Sequence, residues 1–239
     1  MVFSDVTLLQ GIVQQTRAIM RVDATQWPTA KIVASVNNWL DFVTGYAIGA
    51  DSRFRWDDTN HTALPEGTTT LTSGQSDYSF LTDEQGNTIL NLRRLELKDS
   101  SGNWFLLKEM DDTDLLYDAV GQEQSVSSQP THYDKIADNI IRLYPKPNYT
   151  LAAALKFFFQ RTPSYFDADD TTKQPGVAPI LHRGFVVAAA YDGALTLGLP
   201  NLQALAVERQ FEKDKMVQYF AQRNPDVDTV ITVYTPSFE

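Results

Sequence analysis

Residues 132–166 read HYDKIADNIIRLYPKPNYTLAAALKFFFQRTPSYF, and this stretch decides the fold. Ile140, Ile141, Leu143 and Tyr144 form a β-branched and aromatic run, which is strand composition. Pro145 and Pro147 end it, because proline cannot donate to a ladder and biases the preceding residue toward extended geometry. Asn148 supplies turn chemistry before a second run, Tyr149 to Phe159, which closes at Arg161-Thr162-Pro163. The two runs predict a β-hairpin whose exit is set by proline. Few of its side chains suit catalysis.

Upstream, short strand-like runs occur at Thr69-Leu71, Tyr78-Leu81, Ile89-Leu97 and Trp104-Leu107. Between the last two, Asp99-Ser100-Ser101-Gly102-Asn103 has the composition of a tight hairpin turn. Short strands at this spacing predict an antiparallel β-sandwich or barrel-like domain over residues 69–166. The polar residues 51–68 read as a connector, and the Gln- and Ser-rich residues 118–131 as an exposed loop.

The two ends carry helical periodicity. Val6, Leu9, Ile12, Val13, Thr16, Ile19 and Met20 recur at three- and four-residue spacing behind Ser4 as a cap. After a break at Asp23 to Trp27, Pro28 suits the first turn of a second helix. There Ile32, Val33, Val36, Trp39, Leu40 and Val43 form one apolar stripe, with Gly45 and Gly49 weakening its end. Beyond the solvated linker DADDTTKQPG, a helix is expected over Ile180 to Leu197 and another after Gly198-Leu199-Pro200. In the last helix Leu202, Leu205, Ala206, Met216 and Phe220 point to a core, with Glu208, Arg209, Glu212 and Lys213 outward. Asn224-Pro225 ends it. The fold class is therefore α+β: residues 1–50 and 177–224 close into a helical bundle, residues 69–166 are an inserted β domain, and residues 225–239 are an extended tail.

The chain has 239 residues and no cysteine, which excludes disulfides, thiolate metal sites and cysteine nucleophiles. A chain of this length buries roughly 70% of its unfolded surface without covalent staples. Met1 to Asp5 has no basic n-region and no apolar run approaches ~20 residues, so the expectation is a soluble, cytoplasmically made protein without a membrane span. Thirty acidic residues against twenty basic ones give a formal charge of −10. Nucleic-acid binders exchange a basic footprint for counterions, and no such footprint is present.

The metal, phosphate and nucleophile candidates fail a chemical test, while paired carboxylates and aromatic rings stay as rival readings. An EF-hand loop begun at Asp167 needs Gly at its sixth place and Glu at its twelfth, where Thr172 and Ala178 stand. Asp111-Asp112-Thr113-Asp114 fails likewise. The glycines of residues 67–74 are followed by Gln75 and Ser76, not by the Lys and Ser or Thr of a phosphate loop. His61, His132 and His182 are far apart, and no nucleophile elbow occurs. No carboxylate pair is singled out for glycosidase chemistry. Trp56, Tyr78, Phe80, Trp104, Tyr117 and Tyr133 would bind sugar if they formed an exposed strip, but such rings more often serve as core. The expectation is no catalytic residue, no cofactor and no metal.

The strand end Ile141-Arg142-Leu143-Tyr144-Pro145-Lys146-Pro147, the return Tyr149-Thr150-Leu151 and the exit Arg161-Thr162-Pro163 resemble the head-to-tail adaptor (connector) proteins of tailed bacteriophages. Thr70 through Leu81 followed by Ile89 through Leu95 is similar to that family's opening of the central β region. Pro179-Ile180-Leu181-His182-Arg183 leading into Ala188-Ala189-Ala190 is similar to the helix that follows. The resemblance implies a structural virion protein of the neck, present in the host cytoplasm during assembly. It implies a homo-oligomeric ring of twelve subunits beneath the portal, in contact with tail or neck proteins. DNA would pass through without specific binding, repelled by an acidic wall. A tail terminator or fibre-attachment collar is the alternative within virion proteins, and a carbohydrate-binding module outside them. In the tail, Val230, Thr232, Tyr234 and Phe238 are the candidate contacts to the portal or a neighbouring subunit, because an alternating segment adds readily to a sheet edge.

Overall fold

The computed structural model describes residues 1–50, 65–83, 86–110 and 126–221, with Ala50 by its backbone alone. The fold is α+β. The chain divides into two compact units. One comprises Met1–Phe54, Asp167–Gln174 and Pro179–Glu239; the other comprises Arg55–Phe166 and Pro175–Ala178.

The helical unit contains α1 (Ile12–Met20), α2 (Thr29–Ala50), α3 (His182–Leu197, entered through a 3-10 turn at Pro179–Leu181) and α4 (Leu202–Ala221). Helix α3 packs against all three others. Its run Phe185 to Ala190 is buried without interruption, as a helix enclosed on every side requires. Small residues let its neighbours approach: a methyl on Gly184 would sit 3.1 Å from the Trp39 indole nitrogen.

The first helix begins later than its periodicity predicts. Val6 and Leu9 are 79% and 64% exposed, and Ser4 caps nothing; its hydroxyl accepts from Gln14 Nε2 at 2.9 Å. The chain instead doubles back, so that the N–H groups of Ile12 and Val13 donate to the carbonyls of Val2 and Phe3, each at 3.0 Å. Backbone oxygens thus satisfy helix-start donors that a side-chain cap would otherwise take. Phe3, fully buried, anchors this strap and donates its N–H to the Lys173 carbonyl at 2.8 Å. Helix α2 runs through Gly45 and Gly49 to Ala50, because Val43 and Ala47 beside them are in the core.

Helix α4 departs from its expected faces. Leu205, Met216 and Phe220 are buried as predicted, but so is Glu212, while Val207 and Phe211 are 73% and 64% exposed. Glu212 lies seven residues after Leu205 and four before Met216, so helical geometry carries it to the core face. Its carboxylate is met by Lys215 Nζ at 3.2 Å.

Among the described residues the β unit holds ten strands: β1 (Glu66–Leu71), β2 (Asp77–Ser79), β3 (Ile89–Lys98), β4 (Trp104–Leu106), β5 (Lys108–Glu109), β6 (Ser127–Ser128), β7 (His132–Ala137), β8 (Ile140–Tyr144), β9 (Lys146–Pro147) and β10 (Leu151–Arg161). They form sheets of order β1-β10-β3-β4 and β2-β8-β7-β5, with β6 and β9 as a separate pair. The two larger sheets share one core, in which Leu71, Leu95, Leu97, Ile141, Leu143 and Leu155 are fully enclosed. Most ladders are antiparallel, but β5–β7 and β6–β9 run parallel.

The two apolar runs of the decisive stretch each form a strand, β8 and β10, though not a hairpin with each other. β8 pairs with β2 and β7, whereas β10 pairs with β1 and β3. The segment between Tyr144 and Leu151 therefore carries the chain from one sheet to the other, a corner of the kind sandwiches make. Its two prolines leave few donors, and β9 within it pairs only with the two residues of β6. The hairpin partner of β8 is β7, joined through Asp138-Asn139. Only Tyr133 of β7 is buried, so no apolar alternation announced that strand. The expected turn at Asp99 does form: the Asp99 carboxylate accepts from the N–H groups of Ser101 and Asn103 at 2.9 and 2.8 Å, and Gly102 takes φ 92°. Residues 66–68 belong to β1 rather than to the connector. No helix among the described residues is long and apolar enough to cross a membrane.

Candidate partner-binding surfaces

Among the described residues no group of three or more His, Cys, Asp and Glu could hold a metal ion. The Asp167–Asp170 cluster is a turn in which Asp170 accepts the Asp167 N–H at 2.8 Å and faces Lys173 at 3.7 Å. His132 Nδ1 lies 2.9 Å from the Thr131 hydroxyl, and His182, buried in α3, has Nδ1 2.8 Å from the Met1 amino nitrogen. His61 lies outside the described residues. The carboxylate of Glu212 faces the partly exposed Lys215, and that of Asp83 faces the buried Arg161, each within its own unit.

The aromatic strip imagined for sugar binding is not present in the described residues. Tyr78, Phe80 and Tyr133 are buried in the sandwich core; only Trp104 reaches solvent, and Trp56 and Tyr117 are not described. Burial, reinforced by Glu109, pushes the Tyr133 phenol up to about 12. Burial likewise raises Tyr78.

Three surfaces suit macromolecular contact. On the outer face of the first sheet, Trp104 lies beneath Lys98 and Lys156 at 5.5 and 5.1 Å, and Phe158 beneath Arg94 and Lys156 at 5.6 and 5.7 Å. Glu66 and Glu96 pair with Lys156 and Arg94 there, so the face is close to neutral. Register explains the cluster, since Lys156 sits opposite Glu96, and Phe158 opposite Arg94. At one end of the sandwich, exposed Leu81 and Leu90 flank a cleft of about 830 Å³.

The third surface is a groove of about 460 Å³ in the helical unit, between α2, α3 and α4. Trp39 and Phe42 on α2 and Tyr191 on α3 form its aromatic wall, with the Trp39 and Phe42 centroids 5.2 Å apart. From α4, Arg209 lies 4.7 Å from the Tyr191 centroid and 5.8 Å from that of Trp39, and Lys213 lies 5.3 Å above Phe42. Arg209 and Lys213 are four residues apart and so share one helix face. Sequence periodicity assigned both to solvent. That Trp39 and Phe42 come up beneath them depends on α2 crossing beside α4, which no local pattern encodes.

The expected contacts Val230, Thr232, Tyr234 and Phe238 lie outside the described residues, as does the expected helix end at Asn224-Pro225. No curated protein matches the chain at a significant level. The family profile of the SU10 adaptor protein matches residues 7–232, which spans both units. With that match over nearly its whole length, the chain belongs to the SU10 adaptor protein family, a phage adaptor-type family of structural proteins.

Proposed function

We propose that this chain is the subunit of a head-to-tail adaptor ring that docks beneath the portal of a tailed phage capsid and links it to the tail. The observation that carries this reading is the match to an adaptor family over residues 7–232. The ring holds twelve copies around the DNA channel in the virion neck, after assembly in the host cytoplasm. Helices of residues 1–50 and 177–224 make side-to-side contacts, and the β domain of residues 69–166 meets tail or neck proteins. Residues 225–239 are the docking segment, with Val230, Thr232, Tyr234 and Phe238 contacting the portal or a neighbouring subunit. The formal charge of −10 suits a channel wall that repels DNA phosphates.

Apolar residues left in water support an assembling role. Val207 and Phe211 on α4, and Val6, Leu8 and Leu9 before α1, are all well exposed, and such groups are commonly covered when subunits associate. The test is particle mass, alone and after mixing with the portal protein of the same phage. A ring-sized particle on the portal is expected, and its loss on deleting residues 225–239 would locate the docking segment. A chain that remains monomeric and ignores the portal would overturn the reading.

A further inference from the structure

We infer that the groove between α2, α3 and α4 receives the acidic segment 225–239 of a second copy of this chain, a contact that rests on the adaptor-ring reading. The groove is built for an anion with apolar character. Arg209 and Lys213 project over its aromatic wall, and among the described residues neither has a carboxylate partner; their neighbours are the rings of Trp39, Tyr191 and Phe42. Asp192 is the one carboxylate among the described residues of the lining. Two cations sharing one groove with no carboxylate partner among the described residues are unusual on a chain with ten more acids than bases. A guanidinium held against aromatic rings keeps its outer N–H donors available for a carboxylate.

Residues 225–239, PDVDTVITVYTPSFE, have the matching chemistry. Asp226, Asp228 and Glu239 are its charges, with no Lys or Arg after Arg223. Tyr234 and Phe238 supply rings for Trp39 and Phe42, and Pro225 and Pro236 favour extended geometry, which lowers the ordering cost of a docked peptide. The donor is assigned to a second copy because Arg209 and Lys213 precede Ala221, the last described residue of α4, by two to three turns. To reach its own groove the segment must reverse and run back along its own helix, whereas a neighbour's segment need not. Contacts of this head-to-tail kind close into rings when the rotation between copies closes.

The test is charge exchange in the full chain. One variant carries Arg209→Glu with Lys213→Glu, the other Asp226→Lys with Asp228→Lys, and association is followed by sedimentation as concentration rises. Wild type is expected to associate, each variant alone at least about tenfold more weakly, and an equimolar mixture of the two to recover. Recovery in the mixture requires that groove and segment lie on different copies. Wild-type self-association left intact in both variants would overturn the inference, as would a mixture no better than its parts or a wild type that stays monomeric. The portal-mixing experiment is scored separately: full portal docking by a chain that fails the exchange test discards the groove contact and keeps the adaptor reading. Circular dichroism on each variant checks that the helices persist.

Discussion

Arg161 Nε stands 3.3 Å from the Asp83 carboxylate, with the two side chains only 3% and 8% exposed. The pair fastens the end of β10 to the turn that leads into β3. Asp83 also organises that turn, accepting the Asn87 N–H at 2.8 Å and its side-chain amide at 3.0 Å. A carboxylate so placed neutralises a buried guanidinium and closes a loop together. Replacing Asp83 with alanine leaves the charge of Arg161 inside the sandwich without its carboxylate, which costs about 3–5 kcal/mol. Urea unfolding of D83A should show that loss, and Asp83→Leu with Arg161→Met should recover much of it. A loss below ~1 kcal/mol would mean that the ion pair contributes little to the sandwich.

Two glycines should respond to alanine in opposite senses. At Gly11 a methyl would overlap the Asp5 backbone nitrogen and lie 2.9 Å from the Ser4 carbonyl carbon. Neither atom can move without unseating the strap that caps α1, so Gly11→Ala should destabilise by about 1–3 kcal/mol. Gly45 has open space around its missing Cβ and sits inside α2, where alanine is favoured by roughly 0.5–1 kcal/mol. Thermal midpoints of G11A and G45A should therefore move down and up. A fall in both would remove the steric explanation for Gly11.

The α+β class was legible because hydrophobic period changes with element type: Val36, Leu40 and Val43 recur as on a helix, whereas Leu95 and Leu97 alternate as on a strand. The turn at Asp99 was legible because its own residues satisfy it. What failed was non-local. Ser4 has the chemistry of a cap, yet the carbonyls of Val2 and Phe3 take that role because Phe3 has a core to enter. Tyr144 and Leu151 looked like two sides of one hairpin, but pairing partners far along the chain draw them into different sheets. The groove joins Trp39 to Arg209, 170 residues apart, and only the packed bundle brings them together.

The acid response of the β unit should depend on one cross-strand pair. Arg142 on β8 donates to Asp77 on β2 through two bonds, 2.7 Å to Oδ1 and 2.9 Å to Oδ2. These bonds, with the positive charge behind them, hold the Asp77 carboxyl below its usual range despite partial burial. A depressed folded-state value means that the pair stabilises the fold above the ordinary carboxylate value near 4 and that this help disappears as pH falls through the lower value. Because Asp77 is 44% exposed, screening limits the effect to about 1 kcal/mol or less. Asp77→Asn should be weaker than wild type near neutrality and equal to it at about pH 2. A constant gap between them across that range would show that the carboxylate charge does not matter.

Helix α4 places an apolar residue and an acid in each other's expected positions. Phe211 faces water, and its neighbour Glu212 is buried with Lys215 as partner. Stability alone favours the reverse: a hydrophobe at 212 removes a desolvated charge and leaves Lys215 free to reach solvent, so Glu212→Leu should be neutral or stabilising by about 1 kcal/mol. Phe211→Glu should lie within ~0.5 kcal/mol of wild type, because an exposed side chain loses little on substitution. The combined F211E/E212L chain should therefore unfold at an equal or higher urea concentration than wild type. If α4 makes subunit contacts, the same chain should assemble poorly, since the apolar group meant for a neighbour has become a charge. A double variant that is more stable as a monomer and deficient in ring formation would show that the inverted pattern serves assembly. One that is more stable and assembles normally would remove Phe211 from the interface.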